Sequence, residues 1–370
     1  MTIRVPFLDL AITDDSERGN LLQTMDDVLQ HGRLVMGPEI EQFETQVATY
    51  CGRAYAVSVG SGTDALFLGL RALRIGHGDE VITTSLSWIA TANAIALTGA
   101  SPVFADIGGD LNIDPVSVER LITARTRAIL AVDYTGQIAD MDALVAICDR
   151  YNLHLVEDGS QAFGASQNGH RCGSFGTISA ISHNPMKVLA AIGEAGSILC
   201  DDPEIYHRLI SLRYNGTVNR ETCTEPSLNG RMDTLQAAVL LQRLKTVDDL
   251  IRCRRDNAAY YIERLGGKIG LPKEKPEESQ VYYTFTIQTP ERDALEQHLA
   301  KRGIETKVQH RLIMPEHPAY KPARGEYACA QALSETILSL PVHEKLTASQ
   351  REFVVDAILE FLEQSDQSKL

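Results

Sequence analysis

The stretch AYAVSVGSGTDALFLGLRAL, residues Ala54–Leu73, decides the fold class of this chain. Its first six residues predict a buried strand, and a Gly-Ser-Gly turn then leads into a helical apolar pattern. The same alternation continues to Cys200, with strands predicted at residues 80–84, 102–106, 127–132 and 154–158 and helices near residues 89–97 and 141–151. Because such alternation builds βαβ units, the sequence predicts an α/β fold with a mostly parallel sheet flanked by helices.

The second half of the chain has a different pattern. A long helical stretch is predicted over roughly residues 233–261, and it leads through the Pro- and Glu-rich run LPKEKPEES to a strand, VYYTFTI, at residues 281–287. A tail of β–α type follows. We therefore expect a large domain of residues 1–246 and a smaller C-terminal α+β domain of residues 247–370.

Composition narrows the class of function. A net charge of −14 over 370 residues, with no basic face, argues against a nucleic-acid partner. The acidic N-terminal residues do not resemble a signal peptide and no apolar run reaches membrane-spanning length, so we expect a cytoplasmic protein with no membrane partner. Seven scattered cysteines without Cys-x-x-Cys spacing predict free thiols and no metal site.

Two features follow the first strands of the predicted sheet, where ligands of parallel sheets bind. Ser61 and Thr63 open a helix whose N-terminus can hold a phosphate, although a helix cap explains the same residues. Trp88, the only tryptophan, can stack on an aromatic cofactor or serve as a core or surface anchor. No Gly-x-Gly-x-x-Gly motif follows a strand, which argues against a nicotinamide cofactor.

Two charged residues follow the later strands. Asp158 ends an apolar strand, and its partly buried carboxylate needs a partner such as a protonated ring nitrogen, a helix N-terminus or an arginine. Lys187 follows the predicted strand TISAIS among small and apolar residues. Most lysines are solvated surface charges, but these surroundings suit a lysine that binds a carbonyl compound covalently. Together with a phosphate holder and a ring stacker, these residues predict a pyridoxal phosphate site.

Nearly the whole chain resembles the DegT/DnrJ/EryC1/StrS group of pyridoxal phosphate-dependent aminotransferases, which aminate keto sugars that are mostly nucleotide-linked. The resemblance lies in VPFLDL, GRLVMGPEIEQFE, SGTDAL, TANAIALTGASPVFADI, GQIADMDAL, LVEDGSQAFGA, NPMKVLAAIGEAG, NGRMDTLQAAVL and LPVH. It implies the fold-type I transferase architecture, pyridoxal 5'-phosphate as cofactor, and transfer of an amino group from Glu or Gln to a keto sugar in amino-sugar biosynthesis.

The resemblance also implies roles for individual residues. Lys187 matches the lysine that binds the cofactor covalently and moves the proton, and Asp158 matches the partner of the cofactor's ring nitrogen. The other implied cofactor-binding residues are Gln161 beside the ring oxygen, Trp88 against the ring, Ser61, Gly62, Thr63 and Ser182 around the phosphate, and Asn229, which reaches the phosphate of the neighbouring subunit. A homodimer with shared active sites is thereby implied.

This chain departs from the family pattern in two places. Before the lysine the family commonly has Ser-Phe-aromatic, where this chain has Ser182-His183-Asn184. A loop of the C-terminal domain that touches the sugar in the family carries a histidine where this chain has Pro315. We therefore expect substrate contacts from four residues, His183, Asn184, His310 and His317.

Two alternatives to an aminotransferase share this fold. Relatives that dehydrate sugars have a histidine in place of the lysine, so Lys187 argues against dehydration. A non-catalytic, regulatory protein that binds the cofactor on the same fold stays as the alternative. The run GEAG at residues 193–196 is slightly more similar to relatives that act at C-3 than at C-4. The sequence leaves open the sugar, its carrier nucleotide, the aminated ring carbon, the choice of Glu or Gln, and the sugar-binding residues of the C-terminal loop.

Overall fold

A computed structural model describes residues 3–368 of the chain. Its strands are β1 (Tyr55–Val59), β2 (Glu80–Thr84), β3 (Ser101–Ala105), β4 (Thr126–Val132), β5 (His154–Asp158), β6 (Ser166–Gln167), β7 (His170–Arg171), β8 (Ile178–Ser182), β9 (Gly196–Cys200), β10 (Thr217–Val218), β11 (Thr222–Cys223), β12 (Glu278–Ser279), β13 (Phe285–Gln288) and β14 (Ile337–Leu340). Its α-helices are α1 (Asp15–His31), α2 (Pro38–Cys51), α3 (Gly62–Ala72), α4 (Ala90–Leu97), α5 (Pro115–Leu121), α6 (Met141–Tyr151), α7 (Pro203–Arg213), α8 (Thr234–Leu244), α9 (Val247–Leu265), α10 (Arg292–Lys301), α11 (Ala328–Thr336) and α12 (Ala348–Ser368).

A seven-stranded sheet forms the centre of the molecule. Its strand order is β1-β9-β8-β5-β4-β2-β3. Strand β9 runs antiparallel to both of its neighbours, whereas β8, β5, β4, β2 and β3 pair in parallel. The predicted mostly parallel sheet is thereby confirmed, and the predicted strands from β1 to β5 begin and end within one residue of the observed ones.

Helices cover both faces of this sheet, as expected where parallel strands are buried on two sides. One apolar core holds residues of α2, α6 and α8, and the other holds residues of α3, α4 and α7. The elements after residue 247 surround a further core built from the second half of α9 with α10, α12, β13 and β14. None of the helices within residues 3–368 is long and apolar enough to cross a membrane.

Two predicted elements of the second half differ from the structure. The single helix predicted over residues 233–261 is two helices, α8 and α9, because Thr246 leaves the helical conformation at φ −121° and ψ 5°. The strand predicted at residues 281–287 begins only at Phe285. Its first residues instead bond to the turn after β4, through Val281 N to Gly136 O (3.0 Å) and Thr284 N to Thr135 O (3.2 Å).

Candidate active site

The end of β1 and the end of β8 meet at the N-terminus of α3. Ser61 caps this eleven-residue helix, and its Oγ accepts a hydrogen bond from Asp64 N at 3.0 Å. A Cβ added to Gly62 would lie 2.5 Å from Ser182 Cβ, so only glycine permits this approach. The predicted residues Ser61, Gly62, Thr63 and Ser182 are thus brought together. A helix N-terminus with hydroxyl groups around it provides the donors and the positive partial charge that a phosphate requires.

Asp158 ends β5 beside this helix terminus and is 5% exposed. Its carboxylate accepts hydrogen bonds from Ser160 N and from Thr91 Oγ1, each at 3.2 Å. Burial raises the pKa of Asp158, while the bond from Ser160 and the positive charge of Lys187 oppose that shift. A buried carboxylate in these surroundings is stabilised in its ionised form by a cationic group placed against it.

Lys187 lies on the turn that joins β8 to β9. Its backbone N donates to Asn184 O at 2.8 Å, and Ala191 N closes the turn by donating to His183 O at 2.8 Å. The Asn184 side chain accepts from Met186 N at 3.0 Å and donates to Glu194 at 2.6 Å, which fixes the first half of the turn. The amine Nζ of Lys187 lies 4.6 Å from the centroid of the Tyr283 ring.

His183, predicted to contact substrate, lies in the core beneath the lysine turn and is fully buried. Its ring packs edge-on against Phe43 and Phe163. Nδ1 donates to Leu189 O at 3.2 Å, and Nε2 accepts from the Ser197 hydroxyl at 2.8 Å. Burial lowers the pKa of His183 to about 4, so the ring is neutral near pH 7. Because both ring nitrogens are bonded inside the protein, His183 supports the turn and does not face the cleft.

Further predicted residues come from other parts of the chain. Gln161 is buried and accepts a hydrogen bond from Thr135 N at 3.0 Å. Trp88 is 62% exposed, and its ring centroid lies 6.2 Å from that of His310. Burial lowers the pKa of His310 to about 4, and the positive charges of Lys307 and Lys187 add to this shift. His310 is therefore a neighbour of the predicted stacking residue, and its ring centroid also lies 5.8 Å from that of Tyr134. His317 follows the short helical turn at residues 314–316, where its backbone N donates to Met314 O at 3.3 Å.

Asn229 is exposed and accepts a hydrogen bond from Arg231 Nε at 2.7 Å. The next residue, Gly230, accepts from Gly60 N at 2.9 Å, so this turn lies beside the residue that precedes Ser61. Its contact with the phosphate of a neighbouring subunit stays a prediction.

A buried acidic cluster lies directly behind Asp158. It consists of Asp133, Glu157 and Cys172, and a carboxylate oxygen of each acid and the thiol sulfur lie within 4.8 Å of one another. Burial and the Glu157 charge raise the pKa of Asp133 well above its ordinary value. Glu157 accepts from Gly173 N (2.8 Å), Phe175 N (3.0 Å) and Ser179 Oγ (2.5 Å). Because these donors satisfy Glu157, we expect Asp133 to hold the proton of the pair.

Three residues near the site were missed from the sequence. Thr91 and Ser160 bond to Asp158, and Tyr283 faces Lys187. Ser160 was within reach of prediction, because an N–H two residues after an aspartate often bonds to its carboxylate. Thr91 follows Trp88 by one helical turn. Tyr283 could not be singled out from the sequence, because the segment around it is predicted as a strand.

Comparison with known proteins agrees with this geometry. The sequence pattern of the DegT/DnrJ/EryC1/StrS aminotransferase family matches residues 15–359. The chain is 41% identical over 373 residues to the dTDP-3-amino-3,4,6-trideoxy-alpha-D-glucose transaminase of Streptomyces venezuelae, covering 99% of this chain and 98% of that protein. It is 35% identical over 367 residues to the pleiotropic regulatory protein of Geobacillus stearothermophilus, covering 97% of this chain and 99% of that protein.

A solved structure of this kind also matches the whole molecule. The crystal structure of NtdA from Bacillus subtilis with its bound cofactor PMP superposes with a TM-score of 0.92 at 30% identity, covering 98% of this chain and 86% of that one. Together with the family match, this confirms the fold-type I architecture expected from the sequence. The chain belongs to the DegT/DnrJ/EryC1/StrS aminotransferase family.

Proposed function

We propose that this protein is a pyridoxal phosphate-dependent aminotransferase that moves an amino group from Glu or Gln to a nucleotide-linked keto sugar. One observation carries the proposal. Ser182 packs against Gly62 at the N-terminus of α3, donates from its N to Ser160 Oγ beside Asp158, and accepts at its Oγ from Asn184 N of the lysine turn. The charge of Lys187 also opposes the effect of burial on the pKa of Asp158. A covalent anchor, a partner for a ring nitrogen and a phosphate cradle are thus available to one ligand.

The residues fit pyridoxal phosphate at each of its polar groups. Ser61, Gly62, Thr63 and Ser182 would hold the phosphate at the N-terminus of α3, where Gly62 lies against Ser182. Asp158 would hold the protonated ring nitrogen, Gln161 would lie beside the ring oxygen, and Trp88 would cover the ring. When bound, the cofactor supplies an electron sink for the carbanion that forms as the amino donor loses its α-proton.

Lys187 performs two tasks in this proposal. Its Nζ would hold the cofactor covalently, and once an amino donor had replaced it, the freed amine would take the proton from the donor carbon. The turn bonds at Asn184 and Ala191 keep this amine at the mouth of the site. Asp158 stays ionised against the cation and thereby keeps the ring nitrogen protonated.

The sugar is proposed from a relative and from one motif. The Streptomyces venezuelae relative is named for a dTDP-linked 3-amino sugar. Its similarity, together with the GEAG run at residues 193–196, favours amination at C-3 of a dTDP-linked keto sugar. His310, whose ring centroid lies 6.2 Å from that of Trp88, is the best-placed of the predicted substrate residues.

A difference spectrum tests the function. Protein loaded with pyridoxal phosphate should lose its visible absorption band when Glu or Gln is added, and a dTDP-linked 3-keto sugar should restore it. The Lys187→Ala variant serves as the control. The relative named as a regulatory protein makes a second function worth testing. An absorption band that no amino acid changes would favour that regulatory function over the aminotransferase.

A homodimer with shared active sites is part of the proposal. Several large apolar side chains are exposed on the single chain, among them Leu22 and Leu29, one above the other on α1, and Leu34. Exposed apolar side chains grouped in this way mark association surfaces.

A further inference from the structure

The face of the Tyr283 ring covers the amine of Lys187. The distance from Nζ to the ring centroid is 4.6 Å, which lies within the range of a cation–π interaction. Tyr283 is half-buried, so the ring is partly shielded from water. An ammonium group in this position is attracted by the negative face of the ring, and the lysine stem packs against its carbon atoms.

The backbone that presents Tyr283 has an unusual conformation. Tyr282 has a φ of 48°, and the facing turn contains Thr135 at 62° and Gly136 at 105°. The two segments hold each other through the Val281 N to Gly136 O and Thr284 N to Thr135 O bonds. Left-handed tyrosine and threonine residues cost free energy and persist where surrounding contacts enforce them, which is common at functional sites.

A buried arginine fixes the same segment from its other side. Nη1 of Arg254 lies 3.4 Å from the carbonyl oxygens of both Tyr282 and Tyr283. The Arg254 side chain is 4% exposed, and its guanidinium group forms an ion pair with Glu344 at 2.9 Å. A Cβ on Gly136 would lie 2.7 Å from Tyr283 N, so the facing turn packs closely against this segment. Tyr283 is therefore held on both sides.

We propose that Tyr283 is a positioning residue for Lys187, whose ring face receives the lysine amine whenever that amine is free. The proposal rests on the proposed function, in which the free amine takes a proton from the donor carbon. The amine becomes an ammonium ion in that step, and the ring stabilises the ammonium more than the neutral amine. This difference favours the transition state of proton transfer over the ground state.

Two substitutions separate the ring from its hydroxyl group. Tyr283→Leu removes the π face, whereas Tyr283→Phe keeps it. In the half-reaction with glutamate, Tyr283→Leu should be about tenfold slower, and Tyr283→Phe should stay within about twofold of the wild-type protein. With α-deuterated glutamate, Tyr283→Leu should show a larger primary isotope effect, because proton transfer then limits the rate more strongly. A purely structural role would not change the isotope effect.

A second measurement needs no bound cofactor. Cofactor-free protein is treated with acetic anhydride, and mass spectrometry compares labelling of Lys187 with that of the exposed Lys245. Tyr283→Leu should label Lys187 several-fold faster, whereas Tyr283→Phe should behave like the wild-type protein. Tyr260→Leu is the matched control, because it removes another half-buried tyrosine, on α9, that contacts Arg264 and Arg351 instead of Lys187.

Each result has a definite meaning. If Tyr283→Leu keeps the wild-type rate, isotope effect and labelling, the positioning role is wrong while the aminotransferase stands. If Tyr283→Phe is as impaired as Tyr283→Leu, the hydroxyl group matters and the ring-face role is also wrong. If the wild-type protein does not react with Glu or Gln, the proposed function fails first, and the kinetic role of Tyr283 fails with it. Should Tyr283→Leu unfold, Tyr283→Gln takes its place.

Discussion

Lys187 and Asp158 contribute to the proposed reaction through different properties, one through covalent reactivity and the other through charge. Substitution of Lys187 by Ala or Arg should abolish turnover, because alanine has no amine and arginine stays protonated and cannot bind a carbonyl carbon or shuttle a proton. Steady-state assays with Glu and a dTDP-linked keto sugar measure this. Transamination at the wild-type rate by either variant would overturn the assignment of Lys187.

Asp158→Ala should retain the fold and lose most of the rate. The carboxylate stabilises the protonated ring nitrogen, and preorganised electrostatic effects of this kind contribute about 3–5 kcal/mol, or a factor of hundreds to thousands. Circular dichroism checks the fold and single-turnover kinetics check the rate. A loss of less than tenfold would contradict the role of Asp158.

The buried pair of Asp133 and Glu157 predicts a dependence of stability on pH. The pKa of Asp133 is raised in the folded state, so the folded protein holds this proton more tightly than the unfolded chain. Its stabilising contribution is complete below the unfolded pKa of about 3.9 and is lost as pH rises through the folded pKa. Asp133→Asn, which has no proton to lose, should reduce this loss of unfolding free energy at alkaline pH, measured by urea unfolding between pH 5 and 9.

Glu157→Gln is the companion to that variant. It removes the charge that accepts hydrogen bonds from Gly173, Phe175 and Ser179. Loss of such a buried acceptor should lower the free energy of unfolding by about 2–3 kcal/mol at pH 7. If Asp133→Asn proves the more damaging of the two at pH 9, the assignment of the proton to Asp133 is wrong.

At the residue scale, the sequence predicted the chemical roles of side chains better than their surroundings. Lys187 and Asp158 follow strands, and strand ends in a parallel sheet converge, so their proximity could be predicted. The burial of His183 could not be predicted, because it depends on Phe43 and Phe163, which reach the same place from distant parts of the chain. A histidine one residue beyond a strand is equally able to face the core or the cleft.

At the scale of elements, the junction of α3 with β8 is the most constrained contact of the site. Gly62→Ala should weaken binding of pyridoxal phosphate more than tenfold and destabilise the fold by about 1–3 kcal/mol, because the added methyl group overlaps Ser182. Gly19→Ala is the control. A Cβ at residue 19 meets nothing within 4 Å, and alanine in the helix interior should add about 0.5–1 kcal/mol of stability.

Isothermal titration with the cofactor and thermal unfolding distinguish the two glycine variants. Equal cofactor affinity in Gly62→Ala and the wild-type protein would show that the phosphate binds elsewhere. The same close contact explains why α3 begins at Gly62, where the missing side chain lets the helix N-terminus reach the end of β8.

The accuracy of element prediction followed the strength of local patterns. Most residues of the first five strands are buried, and helical patterns separate one strand from the next, so their positions could be predicted within one residue. The segment at residues 281–287 has equally strong β propensity, but its first half pairs with the turn at residues 135–136. Tertiary contacts override propensity in such cases, and the sequence carries no local mark of them.

At the scale of the whole molecule, the dimer proposal predicts complementation between two inactive variants. Lys187→Ala lacks the anchor, and in Asn229→Asp the new carboxylate should repel the phosphate of the neighbouring subunit. If each site uses Lys187 of one chain and Asn229 of the other, a mixed dimer contains one unaltered site. Mixing the variants should therefore restore measurable activity.

Subunit exchange is verified first by native mass spectrometry with one isotope-labelled variant. If mixed dimers form and the mixture stays as inactive as its parents, the two residues do not serve a common site. A monomer in sedimentation at micromolar concentration would exclude the shared site directly.

The position of β1 in the sheet has a consequence for synthesis of the chain on the ribosome. Strand β1 lies at the sheet edge and pairs with β9, so Val59 cannot pair until Gly196 has been synthesised. At translation rates of about 5–20 residues per second, the interval between their syntheses is on the order of ten seconds. Throughout that time the nascent chain exposes an apolar strand without its partner. We expect chaperones that act at the ribosome to bind it.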